Sequence, residues 1–239
     1  MLFLLCVAGA GRADLGVENT RLVHHAGDAF STLRIWNNGE SASLIQAWID
    51  DGDPQAKLEQ LRLPLGVFPP MFRMDAGSNR DITVKPIQAD GQALPTDRES
   101  LYWLNVLEVP SRQTSVAHGH FEHAVRWRLK LFYRPAGLAG KPDRAVDSLA
   151  WAFETRGDGQ MVLRARNPTP YHVSLAVLTI AGKALELDPA KALVRPYSDW
   201  SVPVDAQWAA SAGTPTGSLR IEWIGDNGKS QITQADVGR

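Results

Sequence analysis

Several groups of residues in the sequence are of types that could do chemistry. His118-Gly-His-Phe-Glu-His123 offers imidazoles, which are common zinc and copper ligands. In a strand, however, His118 and His120 share a face while His123 points to the other, so the cluster reads as surface histidines and no metal site is expected. The adjacent His24 and His25 diverge in the same way. Asp50-Asp-Gly-Asp53 gathers carboxylates that could hold calcium, yet the twelve-residue loop with its terminal bidentate glutamate is lacking, and a hairpin turn accounts for the segment. There is no Gly-x-Ser-x-Gly elbow, phosphate loop, dinucleotide fingerprint or His-Glu-x-x-His. Nothing assembles a nucleophile, a base and an orienting group, so neither a catalytic residue nor a cofactor is assigned. A carbohydrate-cleaving sandwich would need two carboxylates facing each other across a cleft, and the sequence marks no such pair. Trp36, Trp48, Trp103 and Trp127 sit among strand-period neighbours and read as sandwich core rather than as a stacking platform for sugars or bases.

The elements that must carry these residues are strands. Ser31–Trp36, Ser43–Ile49, Arg80–Val84 and Leu101–Leu107 place apolar side chains on alternate positions, which strand period gathers on one face. Asn37-Asn-Gly39, Asp51-Gly-Asp-Pro54 and Asp75-Ala-Gly77 supply turn chemistry between them. After the alternating run Ala124–Tyr133, the segment Arg134–Pro142 loses periodicity and gains Pro and Gly, as a linker does. A second series follows at Leu149–Phe153, Met161–Ala165, His172–Leu178 and Ser218–Ile224. The expected fold class is all-β: two immunoglobulin-like β-sandwich domains, over 14–135 and 143–239, joined by a linker at 136–142.

The chain has 239 residues, 44% of them hydrophobic, enough for two cores of ordinary size. A formal net charge of −1 gives no support to a nucleic-acid partner, which requires a basic excess. The apolar opening is too short to span a bilayer, so stable membrane insertion is not expected. Residues 1–13 read as a signal peptide, with the start placed too far downstream to include the usual basic segment and cleavage before Asp14. Cleavage there removes Cys6, the single cysteine, and leaves a thiol-free chain suited to an oxidising compartment.

Thr20-Arg21, Phe68-Pro-Pro-Met-Phe-Arg73, the stretch Leu94–Pro110, Lys130-Leu-Phe-Tyr-Arg-Pro135 and Asn167-Pro-Thr-Pro-Tyr171 occur in this order and spacing. Together they resemble the periplasmic pilus chaperones of the chaperone-usher pathway. The modest connection Val109–Ala117 resembles that family's short-loop branch. The resemblance implies two sandwiches set at an angle around a cleft, pilus or fimbrial subunits and an outer-membrane usher as partners, and strand donation rather than catalysis. The rival expectation is an immunoglobulin-like surface adhesin or structural protein, since fold alone does not fix function.

By the same resemblance, Arg21 and Lys130 hold the subunit's C-terminal carboxylate. Phe121, His123 and Val125 are the donor-strand positions, where His123 departs from the family's usual aliphatic residue. Arg73, Glu99 and Asp226 form an ion network between the domains. An exposed donor edge also invites weak self-association of the free chaperone.

Overall fold

The computed structural model describes residues 15–87, 94–110, 124–180, 182–205 and 218–238. The first domain contains β1 (Leu15–Val17), β2 (Arg21–His25), β3 (Ser31–Asn37), β4 (Ser43–Asp50), β5 (Leu65–Phe68), β6 (Met71–Met74), β7 (Asn79–Pro86), β8 (Ser100–Pro110) and β9 (Val125–Arg134). The second contains β10 (Ala150–Thr155), β11 (Met161–Arg166), β12 (Val173–Ile180), β13 (Lys183–Glu186), β14 (Leu193–Val194), β15 (Asp199–Pro203), β16 (Ser218–Ile224) and β17 (Ser230–Gly238). The expected all-β, two-sandwich architecture is what forms.

In the first domain a four-stranded sheet, ordered β1-β3-β7-β5, packs on a five-stranded sheet ordered β2-β9-β8-β4-β6. Alternation decides which side chains enter. Leu33 and Ile35 of β3, Ile45 and Ala47 of β4, Leu104 and Val106 of β8, and Leu129 and Leu131 of β9 all lie in the core. Each such Leu or Ile contributes about 1.5–3 kcal/mol by leaving water. Trp127 packs against this core as expected, whereas Trp48 and Trp103 belong to the opposite, solvent-facing side of the five-stranded sheet, beneath Arg126 and Arg128. Their strand parity explains it: both alternate with the buried positions Ala47, Ile49 and Leu104.

The second sandwich runs in one hydrogen-bonded path, β13-β12-β16-β17-β10-β11-β15, with β14 on β12. Its core holds Leu163, Leu178, Ile180, Leu219 and Ile221, all essentially inaccessible to solvent. Between the domains, Gly137 and Gly140 take positive φ of 76° and 80°, turning the chain where a side chain would be strained. The Tyr171 hydroxyl donates to the carbonyls of Leu138 and Gly140, at 3.4 and 3.2 Å, so the connection is tied to the second domain. Among the described residues, no helix is long and apolar enough to cross a membrane.

One feature of the first sheet bears directly on the site. β2 runs parallel to β9 but pairs only with Lys130–Arg134, while β8 pairs with β9 from Val125 to Tyr133. Residues Val125–Leu129 therefore have a ladder on one side only among the described residues. Among the described residues nothing pairs with the backbone donors and acceptors of their outer edge.

Candidate functional site

The pairing of β2 with β9 sets Arg21 directly beside Lys130 across 108 intervening positions of sequence, side by side as the resemblance implied. Both side chains reach toward the second domain. Arg21 Nη1 donates to the carbonyl of Ile224 at 2.9 Å and to Ser174 Oγ at 3.2 Å, and Lys130 Nζ lies 3.5 Å from the same hydroxyl oxygen. Ser174 is buried on β12, and no sequence signal had marked it. The Arg21 Nε–H is buried and has no partner among the described residues.

Two cations sharing a half-buried crevice repel each other and lose hydration. Burial, reinforced by the Arg21 charge, pushes the Lys130 ammonium down to about 8. Burial also lowers Arg21, offset in part by Asp226. An anion placed between Arg21 and Lys130 would reverse the penalty on both, and a carboxylate can accept from both cations at once. The unpaired edge of β9 begins one residue before this point, at Leu129.

Of the expected donor positions, Val125 opens β9 and is half-buried, with the strand parity of Trp127 and Leu129. Phe121 and His123 lie outside the described residues, as does the rest of the His118–His123 cluster.

The expected Arg73–Glu99–Asp226 network is corrected in one member. Arg73 lies on β6, the edge of the sheet away from β9, and its Nε pairs at 2.9 Å with exposed Asp75. The cation that joins Glu99 to Asp226 is Arg134, with Nε 2.6 Å from Glu99 and Nη1 2.7 Å from Asp226. Strand register is the cause: Ser100 is opposite Tyr133, so Glu99, immediately before β8, falls level with Arg134 at the end of β9. The signal was present, because Arg134 is the arginine of Lys130-Leu-Phe-Tyr-Arg-Pro135.

Glu99 also accepts from the backbone N–H of His172 at 2.8 Å and lies 3.2 Å from its Nδ1, while the imidazole packs on Phe132 with ring centroids 5.3 Å apart. Burial pushes the His172 imidazole down, against the upward pull of Glu99. The Glu99 N–H donates to the Pro170 carbonyl at 3.0 Å, and the Arg134 guanidinium lies 5.5 Å from the Tyr171 ring centroid. Glu99 and Arg134 come from the first domain and Pro170, Tyr171, His172 and Asp226 from the second, so this cluster fixes how the two sandwiches meet. A solvent-open crevice beside it is lined by Arg21, Glu99, Phe132, His172, Trp223 and Asp226.

Both domains are similar to known families, over nearly the whole chain. Residues 14–139 match the family of the pili and flagellar-assembly chaperone PapD N-terminal domain, and residues 144–235 match the pili assembly chaperone PapD C-terminal domain. The chain belongs to the pilus-assembly chaperone family. A Bordetella pertussis member, chaperone protein FimB/FhaD, is 41% identical over 179 residues, covering 74% of this chain and 72% of the relative. The crystal structure of the Pseudomonas aeruginosa CupB2 chaperone superposes with a TM-score of 0.74 at 32% identity, covering 93% of this chain and all of that one. The Salmonella enterica SafB chaperone, solved in complex with SafA pilin, superposes with a TM-score of 0.76 at 25% identity, covering 95% and 98%.

Proposed function

We propose that this chaperone acts in the periplasm, where it captures pilus or fimbrial subunits before assembly and passes them to an outer-membrane usher. Arg21 and Lys130 hold the subunit's C-terminal carboxylate, and the unpaired edge of β9 adds the preceding subunit segment as a strand. The observation that carries this reading is the convergence of two desolvated cations at the point where the β9 edge becomes free. The carboxylate fixes register, and Phe121, His123 and Val125 are then the side chains offered to the groove of an incomplete subunit. Covering that groove keeps the subunit from aggregating. Ser174 completes the anchor from the second domain: its oxygen faces both cations, so its own O–H is available to an anion. The modest length of Val109–Ala117 in the sequence supports the short-loop branch of the family.

The test is periplasmic co-expression of the tagged chaperone with a fimbrial subunit, comparing wild type with Arg21→Ala and Lys130→Ala. Each variant is expected to fold and to lose the subunit complex, at a cost of roughly 2–5 kcal/mol for a desolvated charge partner. Normal recovery of subunit with both variants would sink the anchor, and a folded protein that binds glycans or surfaces but no subunit would favour an immunoglobulin-like adhesin.

A further inference from the structure

A buried carboxylate on the outer side of the five-stranded sheet has no part in the anchor or in the interdomain cluster. Asp50, at the end of β4, is 2% exposed. Its Oδ1 accepts from Arg128 Nη2 at 2.6 Å, and its Oδ2 accepts from Asn105 Nδ2 at 2.8 Å and Arg128 Nε at 3.3 Å. Asn105, itself fully buried, uses its Oδ1 to accept from Arg126 Nε and Nη2, at 2.9 and 2.7 Å. Two further guanidinium hydrogens are directed at the backbone after β4: Arg126 Nη1 donates to the Pro54 carbonyl and Arg128 Nη2 to that of Gly52. Arg126 lies over the Trp48 ring at 4.9 Å and Arg128 over Trp103 at 4.2 Å.

These contacts share one direction. Arg126 and Arg128 are alternate residues of the β9 segment that has no outer neighbour among the described residues, and both fold back across β8 toward β4. The long cationic side chains are thus held away from the free edge. From the other face, Trp127 and Leu129 hold the same segment in the core. The strand is clamped on both faces while its edge stays open among the described residues. A strand paired on one side only is otherwise prone to fray, and ordering it at the moment of binding would be charged against affinity. Charge-assisted bonds to a buried carboxylate, with cation–π stacking over them, are suited to keep it extended in advance.

We infer that Asp50 is a positioning residue for subunit capture, holding the edge of β9 flat through Arg126, Arg128 and Asn105. The proposal rests on the reading of β9 as the strand that receives the subunit. Asp50 touches no subunit in this scheme and acts on the rate at which an incoming strand pairs.

The experiment compares wild type, Asp50→Asn and Arg128→Gln by backbone amide hydrogen exchange and by stopped-flow capture of a synthetic peptide. The peptide alternates aliphatic and polar residues and ends in a free carboxylate. Arg128→Gln leaves Asp50 a hydrogen-bond partner and keeps the test open if Asp50→Asn folds poorly. Exchange of the amides in 125–129 is expected to quicken by about tenfold or more, with the β3–β7 sheet and the second domain unchanged. Peptide association should slow by a comparable factor while dissociation changes less than about twofold. Lys130→Ala should leave exchange at 125–129 untouched and abolish capture. Unchanged exchange and unchanged association in both variants, with capture by wild type intact, would overturn the positioning role alone. Exchange that quickens across the whole first domain would overturn it too, making Asp50 an ordinary stability residue. Failure of wild type to capture the peptide would overturn the donor-strand reading and this role with it.

Discussion

The Lys130 ammonium should make subunit binding take up a proton. In the free protein burial and the neighbouring Arg21 charge bring it from 10.5 to about 8. A carboxylate seated beside it favours the charged form and returns the group toward its ordinary value of 10.5. At pH 9 the free amine is then only about one-tenth protonated and the bound one almost fully, so binding should consume about 0.9 proton; at pH 7 the figure falls to about 0.1. Affinity for a peptide with a free C-terminal carboxylate should accordingly be flat below about pH 7 and fall by close to tenfold per unit between about pH 8 and 10. Titration calorimetry in two buffers of different ionisation enthalpy reads the proton count directly. The same shift sets the stability of the free protein. Because the unfolded chain holds this proton more tightly than the folded one, stability rises with pH between about 8 and 10.5. At neutral pH the buried charge costs at most about 3 kcal/mol, from roughly 1.36 kcal/mol per pKa unit. Lys130→Met should therefore stabilise the free chaperone at pH 7, by an amount that shrinks toward pH 10.5, while abolishing binding. Proton uptake near zero at pH 9 in wild type, or Lys130→Met less stable than wild type at pH 7, would refute the reasoning.

The interdomain cluster predicts a contrast between two charged residues. Glu99→Ala strips a buried acceptor from Arg134 and His172 and should cost about 3–5 kcal/mol in denaturant unfolding, with a broader range of interdomain angles in small-angle scattering. Arg73→Ala removes only an exposed pair with Asp75 and should stay within about 0.5 kcal/mol. His24 and His172 are both held below the ordinary imidazole value of 6.5, chiefly by burial. The unfolded chain thus binds their protons more readily, and stability should fall as pH drops through about 6.5. His172→Gln should flatten that fall in a urea series from pH 7.5 to 5, and an unaltered slope would assign the acid sensitivity elsewhere.

The long strands were legible because their apolar residues alternate without interruption; β3, β4, β8, β9, β11 and β16 begin and end within a few residues of where the pattern places them. β1, β13 and β14 have two to four residues each, too few for a period to register. Arg21 and Lys130 were legible only through resemblance, since β2 and β9 are brought together by a parallel pairing that leaves no local trace. The misplaced cation has the same origin. Arg73 and Arg134 are equally plausible partners for Glu99 in a one-dimensional reading, and only the register of β8 against β9 separates them. Ser174 and the Asp50 cluster escaped because a buried hydroxyl or carboxylate looks, in sequence, like any polar residue of a strand or turn. Asp50 does cap its turn, accepting from the Gly52 N–H at 2.8 Å, but its second role is with Arg128, 78 positions away.

Strand period along β9 ties these parts into one device. Leu129 and Leu131 point into the core, which leaves the even-numbered positions to the opposite face. There Arg126 and Arg128 are drawn back to Asn105 and Asp50, Lys130 reaches Ser174, Phe132 packs on His172, and Arg134 binds Glu99 and Asp226. The last three contact the second domain, so the interdomain contacts and the proposed carboxylate anchor hang on the same strand whose edge is proposed to receive the subunit. A change of one residue in the register of β9 would turn all five side chains to the wrong face together. Such a slip is opposed at both ends, by the Asp50 cluster and by Arg134. It follows that the interdomain ion network bears on capture by holding β9 in register, and that loosening it through Glu99→Ala should weaken subunit binding although Glu99 lies outside the carboxylate site.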